Sequence, residues 1–144
     1  MEKNLNMGNN IYREMINKLS AEDIAMLSPL HLAYIGDAVY ELLVRSYVLS
    51  KKIPVKDLHK LSTQYVKAKA QADIVHGLEE YLTEEERAVV IRGRNAKSNT
   101  VAKNASLIDY KYATGFEALI GYLYLTENNE RIGEIFKLII ENHN

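Results

Sequence analysis

Two stretches of the chain are almost free of charge, and each carries a single acid. From Ile24 to Gly36 there is no formal charge before Asp37, and from Tyr112 to Thr126 the only formal charge is Glu117. Segments this apolar must be covered by a core or a partner, so they tie two distant parts of the chain to one interior. Taking a carboxylate out of water there is costly unless it is protonated, paired with a cation or bound to a metal. A hard divalent cation suits both acids.

The remaining pattern is helical. Apolar residues recur at spacings of three and four almost throughout, and no segment of useful length alternates in strand fashion. The expected fold class is therefore all-α, and 144 residues suit one domain. Ser28 as N-cap and Pro29 at the first helical position open a helix expected to reach about Leu49, where Lys51-Lys-Ile-Pro54 stops it. Residues 55–82 are expected to form one or two helices, in which Val66-Lys-Ala-Lys-Ala-Gln-Ala72 offers small side chains for close packing or a flat basic face. Thr83 with Glu86 reads as a capping box, opening a short helix expected to end at Gly93. Arg94 to about Tyr110 is polar, basic and rich in Asn and Ser, and reads as a loop with at most one helical turn. Helices over 113–125 and 131–142 close the bundle. Residues 1–10 are expected to be a disordered extension, leaving 11–144 as the domain.

Several classes are excluded. The absence of Cys removes disulfide frameworks and thiolate zinc sites. No run approaches the roughly 18 apolar residues of a membrane span, and the first residues lack a signal-peptide layout, so the protein is read as soluble and cytoplasmic. The net charge of −1 conceals segregation: 51–69 holds six Lys and one acid, and 92–111 holds two Arg, three Lys and one acid. Such clusters in a nearly neutral chain suit a polyanion, although solvated helix faces look the same.

On the helix from Pro29, Ala33, Asp37, Glu41 and Arg45 are spaced by four and form one polar stripe. Glu41 and Arg45 are explained by pairing with each other. Asp37 has Ala33, Tyr34, Tyr40 and Glu41 one turn away, and Glu117 has Ala113, Thr114, Ile120 and Gly121, so neither has a local cation. Gly36 and Gly121 beside these acids point to two helices crossing closely, because a helix-interior glycine costs about 1 kcal/mol relative to Ala unless packing requires it.

Ile35-Gly36-Asp37-Ala38-Val39 with Glu41, and Phe116-Glu117-Ala118-Leu119-Ile120-Gly121, resemble the two catalytic motifs of the ribonuclease III domain. Tyr65-Val66-Lys67-Ala68-Lys69-Ala70-Gln71-Ala72, Arg92-Gly93-Arg94-Asn95-Ala96-Lys97-Ser98, Lys103-Asn104 and Gly121-Tyr122-Leu123-Tyr124-Leu125 resemble the Mini-III branch, which lacks a double-stranded-RNA-binding domain. The resemblance spans residues 20–142. It implies an all-helical homodimer that cuts double-stranded RNA with Mg²⁺, for which Mn²⁺ substitutes, leaving 5′-phosphate and 3′-hydroxyl ends. It further implies a role in maturing large-subunit (23S) ribosomal RNA precursor, with a ribosomal protein as a partner that presents the substrate.

By the same resemblance, Asp37 and Glu117 are the catalytic, metal-binding pair. Ordinary ribonuclease III carries further acids where this chain has Leu30, Ala33 and Thr114, departures shared by the Mini-III branch. Arg92, Arg94, Asn95, Lys97 and Ser98 match a loop that reaches the RNA, with Lys67, Lys69 and Lys103 in support; such groups suit phosphates and 2′-hydroxyls. His31, His59, His76 and His143 show no ligand spacing and read as solvated or core residues. Tyr34, Tyr40, Tyr47, Tyr122 and Tyr124 read as core or dimer-interface residues. Two other readings compete: a non-catalytic RNA-binding or ribosome-associated module on the same fold, and a helical interaction protein with a basic partner.

Overall fold

The computed structural model describes residues 19–97 and 106–143, and all regular structure within them is helical. The expected N-terminal disorder, and Ser98 and Lys103, lie outside the described residues. Among the described residues seven α-helices follow one another: α1 (Ala21–Ala25), α2 (Pro29–Leu49), α3 (Val55–Val66), α4 (Ala68–Leu78), α5 (Glu84–Asn95), α6 (Leu107–Leu125) and α7 (Asn129–His143), with a 3₁₀ turn at Glu79–Tyr81. They form a single all-α domain in which α6 packs against α2, α4, α5 and α7.

Local chemistry sets the helix starts. Ser20 caps α1 by accepting from the Asp23 N–H at 3.1 Å, while Asp23 Oδ2 accepts from the Ser20 N–H at 2.9 Å. Ser28 caps α2 with Pro29 next, and His31 takes the usual Glu role, its Nδ1 accepting from the Ser28 N–H at 3.1 Å. Thr83 and Glu86 form the expected box at α5.

Two expected boundaries were wrong. Helix α5 passes through Gly93 to Asn95, because Gly93 is an interior packing residue: a Cβ built there would stand 2.7 Å from the Cα of Gly115 on α6. Helix α6 begins at Leu107, where Ser106 accepts from the Asp109 N–H at 3.0 Å. Arg94, Asn95 and residues 107–110, all expected within the loop, are therefore helical. The Ser-x-x-Asp signal at 106–109 was present and masked by its polar surroundings.

The core gathers Leu32, Tyr40, Val44 and Val48 of α2 with Phe116, Leu119, Ile120 and Leu123 of α6, joined by Val75, Leu78 and Ile135. Tyr40 fits the tyrosine expectation: its ring meets Phe116 edge-on at 4.8 Å, and its hydroxyl donates to the Tyr65 carbonyl at 3.0 Å. Tyr34 leaves the core group, being 84% exposed. It belongs to a side of α2 where Leu30, Leu42 and Leu49 are also exposed, so this helix carries apolar residues outward beside its polar stripe as well as inward.

Candidate active site

The crossing of α2 and α6 brings the two acids together. A Cβ on Gly36 would overlap the carbonyl oxygen of Glu117 and lie 2.7 Å from the Gly121 nitrogen; one on Gly121 would overlap the Leu32 carbonyl oxygen. Backbone therefore meets backbone, which only glycine at both positions permits. Asp37 follows Gly36 directly, and Glu117 supplies the carbonyl that Gly36 touches. The close approach inferred from the two glycines is what places the acids side by side.

The carboxyl groups of Asp37 and Glu117 lie close enough to act on one another. Their surroundings differ. Asp37 is exposed, which corrects the expectation that both acids leave water: it lies toward the open side of α2, beside the exposed Ala38. Glu117 is half-buried. Burial, then the neighbouring Asp37 carboxyl, push its carboxyl up to about 8, while the Gln71 amide acts in the opposite direction.

The ion pairs among the described residues join Arg45 to Glu41, Lys69 to Asp73, His76 to Glu79, and Arg131 to Glu86 and Glu134, leaving Asp37 and Glu117 without a cation. Glu41 is held by Arg45 Nε at 3.0 Å, as its spacing predicted. The three positions where ordinary ribonuclease III carries acids contribute nothing: Ala33 is buried, Leu30 is an exposed apolar residue, and Thr114 Oγ1 donates to the Tyr110 carbonyl at 3.0 Å. Among the described residues no group of three or more His, Asp or Glu converges as a metal site.

The basic residues form two sets on the helices that pack against α6. Arg92, Arg94 and Asn95 occupy the last turn of α5, with exposed Lys97 just beyond. This end of α5 is anchored against α6, since a Cβ on Gly93 would lie 2.7 Å from the Cα of Gly115 and 3.0 Å from the Cβ of Ala118. Arg94 is held in place by its neighbours: Nε donates to Asn95 Oδ1 at 3.1 Å, and the guanidinium lies 5.6 Å from the Tyr112 ring centre. Lys67 and Lys69 stand at the start of α4, and both line a groove of about 400 Å³ with Ile74, Ile139 and His143. Lys69 is engaged with Asp73 at 3.4 Å, which leaves Lys67 the freer of the two.

Gln71 and Tyr112 take on roles that their sequence context alone did not indicate. Tyr112 contacts both Arg94 and His76, whose ring centre is 4.3 Å away at a tilt of 55°. Gln71 falls in register with Val75 and Leu78 on the buried side of α4; an amide at a core position was the available signal.

Comparison with known proteins defines the class. Residues 30–128 match the family model described as the Ribonuclease III domain. The chain is 53% identical over 125 residues to a Mini-ribonuclease 3 of Clostridium tetani, covering 85% of this chain and 83% of that protein. It is 49% identical to a Mini-ribonuclease 3 of a Thermoanaerobacter species, covering 98% of this chain and 97% of the relative. A crystal structure of a Fusobacterium nucleatum protein superposes with a TM-score of 0.75 at 34% identity, covering 79% of this chain and 93% of the other. The chain belongs to the Mini-ribonuclease 3 family, and with it to the endoribonucleases that act on double-stranded RNA. The scaffold and interaction-protein readings are thereby set aside.

Proposed function

We propose that Asp37 and Glu117 bind Mg²⁺, or Mn²⁺ in its place, and that the protein hydrolyses duplex RNA there to 5′-phosphate and 3′-hydroxyl ends. The observation that carries this reading is a pair of adjacent carboxyl groups, on two helices locked by glycine contacts, with no cation among the described residues to neutralise them. The donor set fits: Mg²⁺ is commonly held by one or two carboxylates, with water and phosphate oxygens completing its shell. When bound, the ion supplies an activated water and offsets charge building on the phosphate.

The chain's own residues do the rest. Asp37 offers an oxygen from the solvent side, where a phosphodiester arrives. Glu117 offers one from the half-buried side. Arg94, pre-set against Tyr112, and Lys67 contact the phosphate backbone on either side; Arg92, Asn95 and Lys97 extend that contact. Ser98, Lys103 and Lys69 complete the proposed RNA-binding set.

The outward apolar side of α2 supports a homodimer, since Tyr34 is 84% and Leu42 67% exposed on one helix. A monomer by light scattering at micromolar concentration would remove this part of the reading. We assign the substrate as 23S ribosomal RNA precursor in the cytoplasm, with a ribosomal protein able to present it; the family relationship supports this.

The test is cleavage of a long RNA duplex with and without Mg²⁺ by the wild type and by Asp37→Asn, with RNA binding followed in parallel. Asparagine keeps the shape and removes the charge. Losing several kcal/mol of transition-state stabilisation predicts a fall of about a hundredfold or more in cleavage with binding retained. Undiminished cutting by Asp37→Asn would refute the assignment.

A further inference from the structure

Gln71 is a polar residue in a place that favours an apolar one. It is 3% exposed on α4, beside Ala72, Val75 and Leu78, each 1% exposed. Its Nε2 donates to the Val66 carbonyl, the last of α3, at 2.8 Å, which fixes the amide because only nitrogen can face a carbonyl so closely. From that position Nε2 also points at Glu117 Oε2, 3.5 Å away. The other end of the amide, Oε1, is buried with no hydrogen-bond partner among the described residues. A buried acceptor left unmatched weakens a fold, and one found in a native core calls for another reason.

The reason is visible in what the amide joins. It connects the bend between α3 and α4, at Lys67, to a carboxylate on α6 that has Asp37 as its neighbour across the helix crossing. Glu117 is thus held from the interior by an N–H donor and meets its fellow acid at the surface. We infer that Gln71 is a positioning residue for Glu117: its amide sets the direction in which the carboxylate presents its free oxygen to the metal, and so sets metal affinity. This rests on the reading of Asp37 and Glu117 as the metal pair. Hydrogen bonds to ligating carboxylates orient them, and losing such a partner typically costs about 10–100-fold in metal affinity.

The test measures Mn²⁺ binding to the RNA-free protein by electron paramagnetic resonance, for the wild type, Asp37→Asn, Gln71→Leu, Gln71→Met, Glu117→Gln and Gln71→Leu/Glu117→Gln. Thermal unfolding in EDTA is recorded for each. The expected result is Mn²⁺ affinity lower by about 10–100-fold in Gln71→Leu and Gln71→Met, with unfolding close to the wild type and no further loss when Gln71→Leu is added to Glu117→Gln. Methionine matches the length of glutamine without its donor, so it decides if leucine disturbs the packing. Wild-type affinity in both Gln71 variants would overturn the inference while leaving the metal pair intact. So would unfolding of both in EDTA, which would make Gln71 a structural residue. Equal Mn²⁺ binding by wild type and Asp37→Asn would instead reject the metal pair itself, and this inference with it.

Discussion

Two carboxylates sit against the core of this domain, and their surroundings give them opposite properties. Glu86, at the corner of α5 and α7, is 5% exposed and answered on every side: Arg131 Nε and Nη2 donate to its two oxygens at 2.8 Å each, and the Thr83 N–H donates at 2.9 Å. The hydrogen bonds from Arg131 hold its carboxyl below the ordinary range, against the pull of burial. Glu117, at the crossing of α2 and α6, faces another acid and one distant amide, and its carboxyl is pushed up to about 8. A satisfied buried acid serves stability. An unsatisfied one beside a second acid is a site awaiting a cation, and the family relationship fits that division.

The comparison breaks most severely at Gly36. Gly36→Ala drives a methyl group into the Glu117 carbonyl, so α2 and α6 must separate; the expected outcome is a stability loss of about 3 kcal/mol in chemical denaturation, with cleavage reduced per folded molecule. Gly133→Ala is its control: a Cβ there meets nothing within 4 Å, and the change is expected to stabilise α7 by up to about 1 kcal/mol without touching cleavage. Equal effects of the two would remove the crossing from the account.

Arg131→Met tests the other region. It leaves Glu86 buried beside Thr83 alone, and breaking a pair of this kind costs about 3 kcal/mol, lowering Tm by about 10 °C, while cleavage by the folded fraction stays at the wild-type rate. A proportional loss of specific activity would mean that the two regions are not separate.

A smaller effect sharpens the contrast through pH. In EDTA, Glu117 keeps its proton in the folded state above the unfolded value of 4.5, so its contribution is full below that value and is lost as pH rises towards 8. Glu86 runs the other way: its contribution is present above 4.5 and is lost as pH falls through its depressed value. Melting curves of Glu117→Gln should therefore gain on the wild type between pH 5 and pH 8. Parallel curves for the two proteins would contradict the burial of Glu117.

Much of this was legible in the sequence. The all-α class, the extent of α2 and the box at Thr83 follow from periodicity and capping, which are local. The tight crossing was readable from Gly36 and Gly121 because a glycine inside an apolar helix needs a reason. What failed was non-local. Gly93 read as a stop, whereas its partner Gly115 makes it an interior contact. Asp37 read as buried because α2 is apolar on both sides of its one polar stripe, and periodicity cannot separate a face turned to the core from one turned outward. Gln71 lacked a role because its meaning depends on a carboxylate 46 positions away.

The central claim is that Asp37 and Glu117 form one metal site, and the most direct measurement is a crystal of the protein soaked in Mn²⁺ with diffraction collected at the manganese edge. The account predicts one anomalous peak per protomer in contact with an oxygen of each carboxylate, lost in the same experiment on Asp37→Asn. A peak elsewhere, or one that survives that substitution, would contradict it.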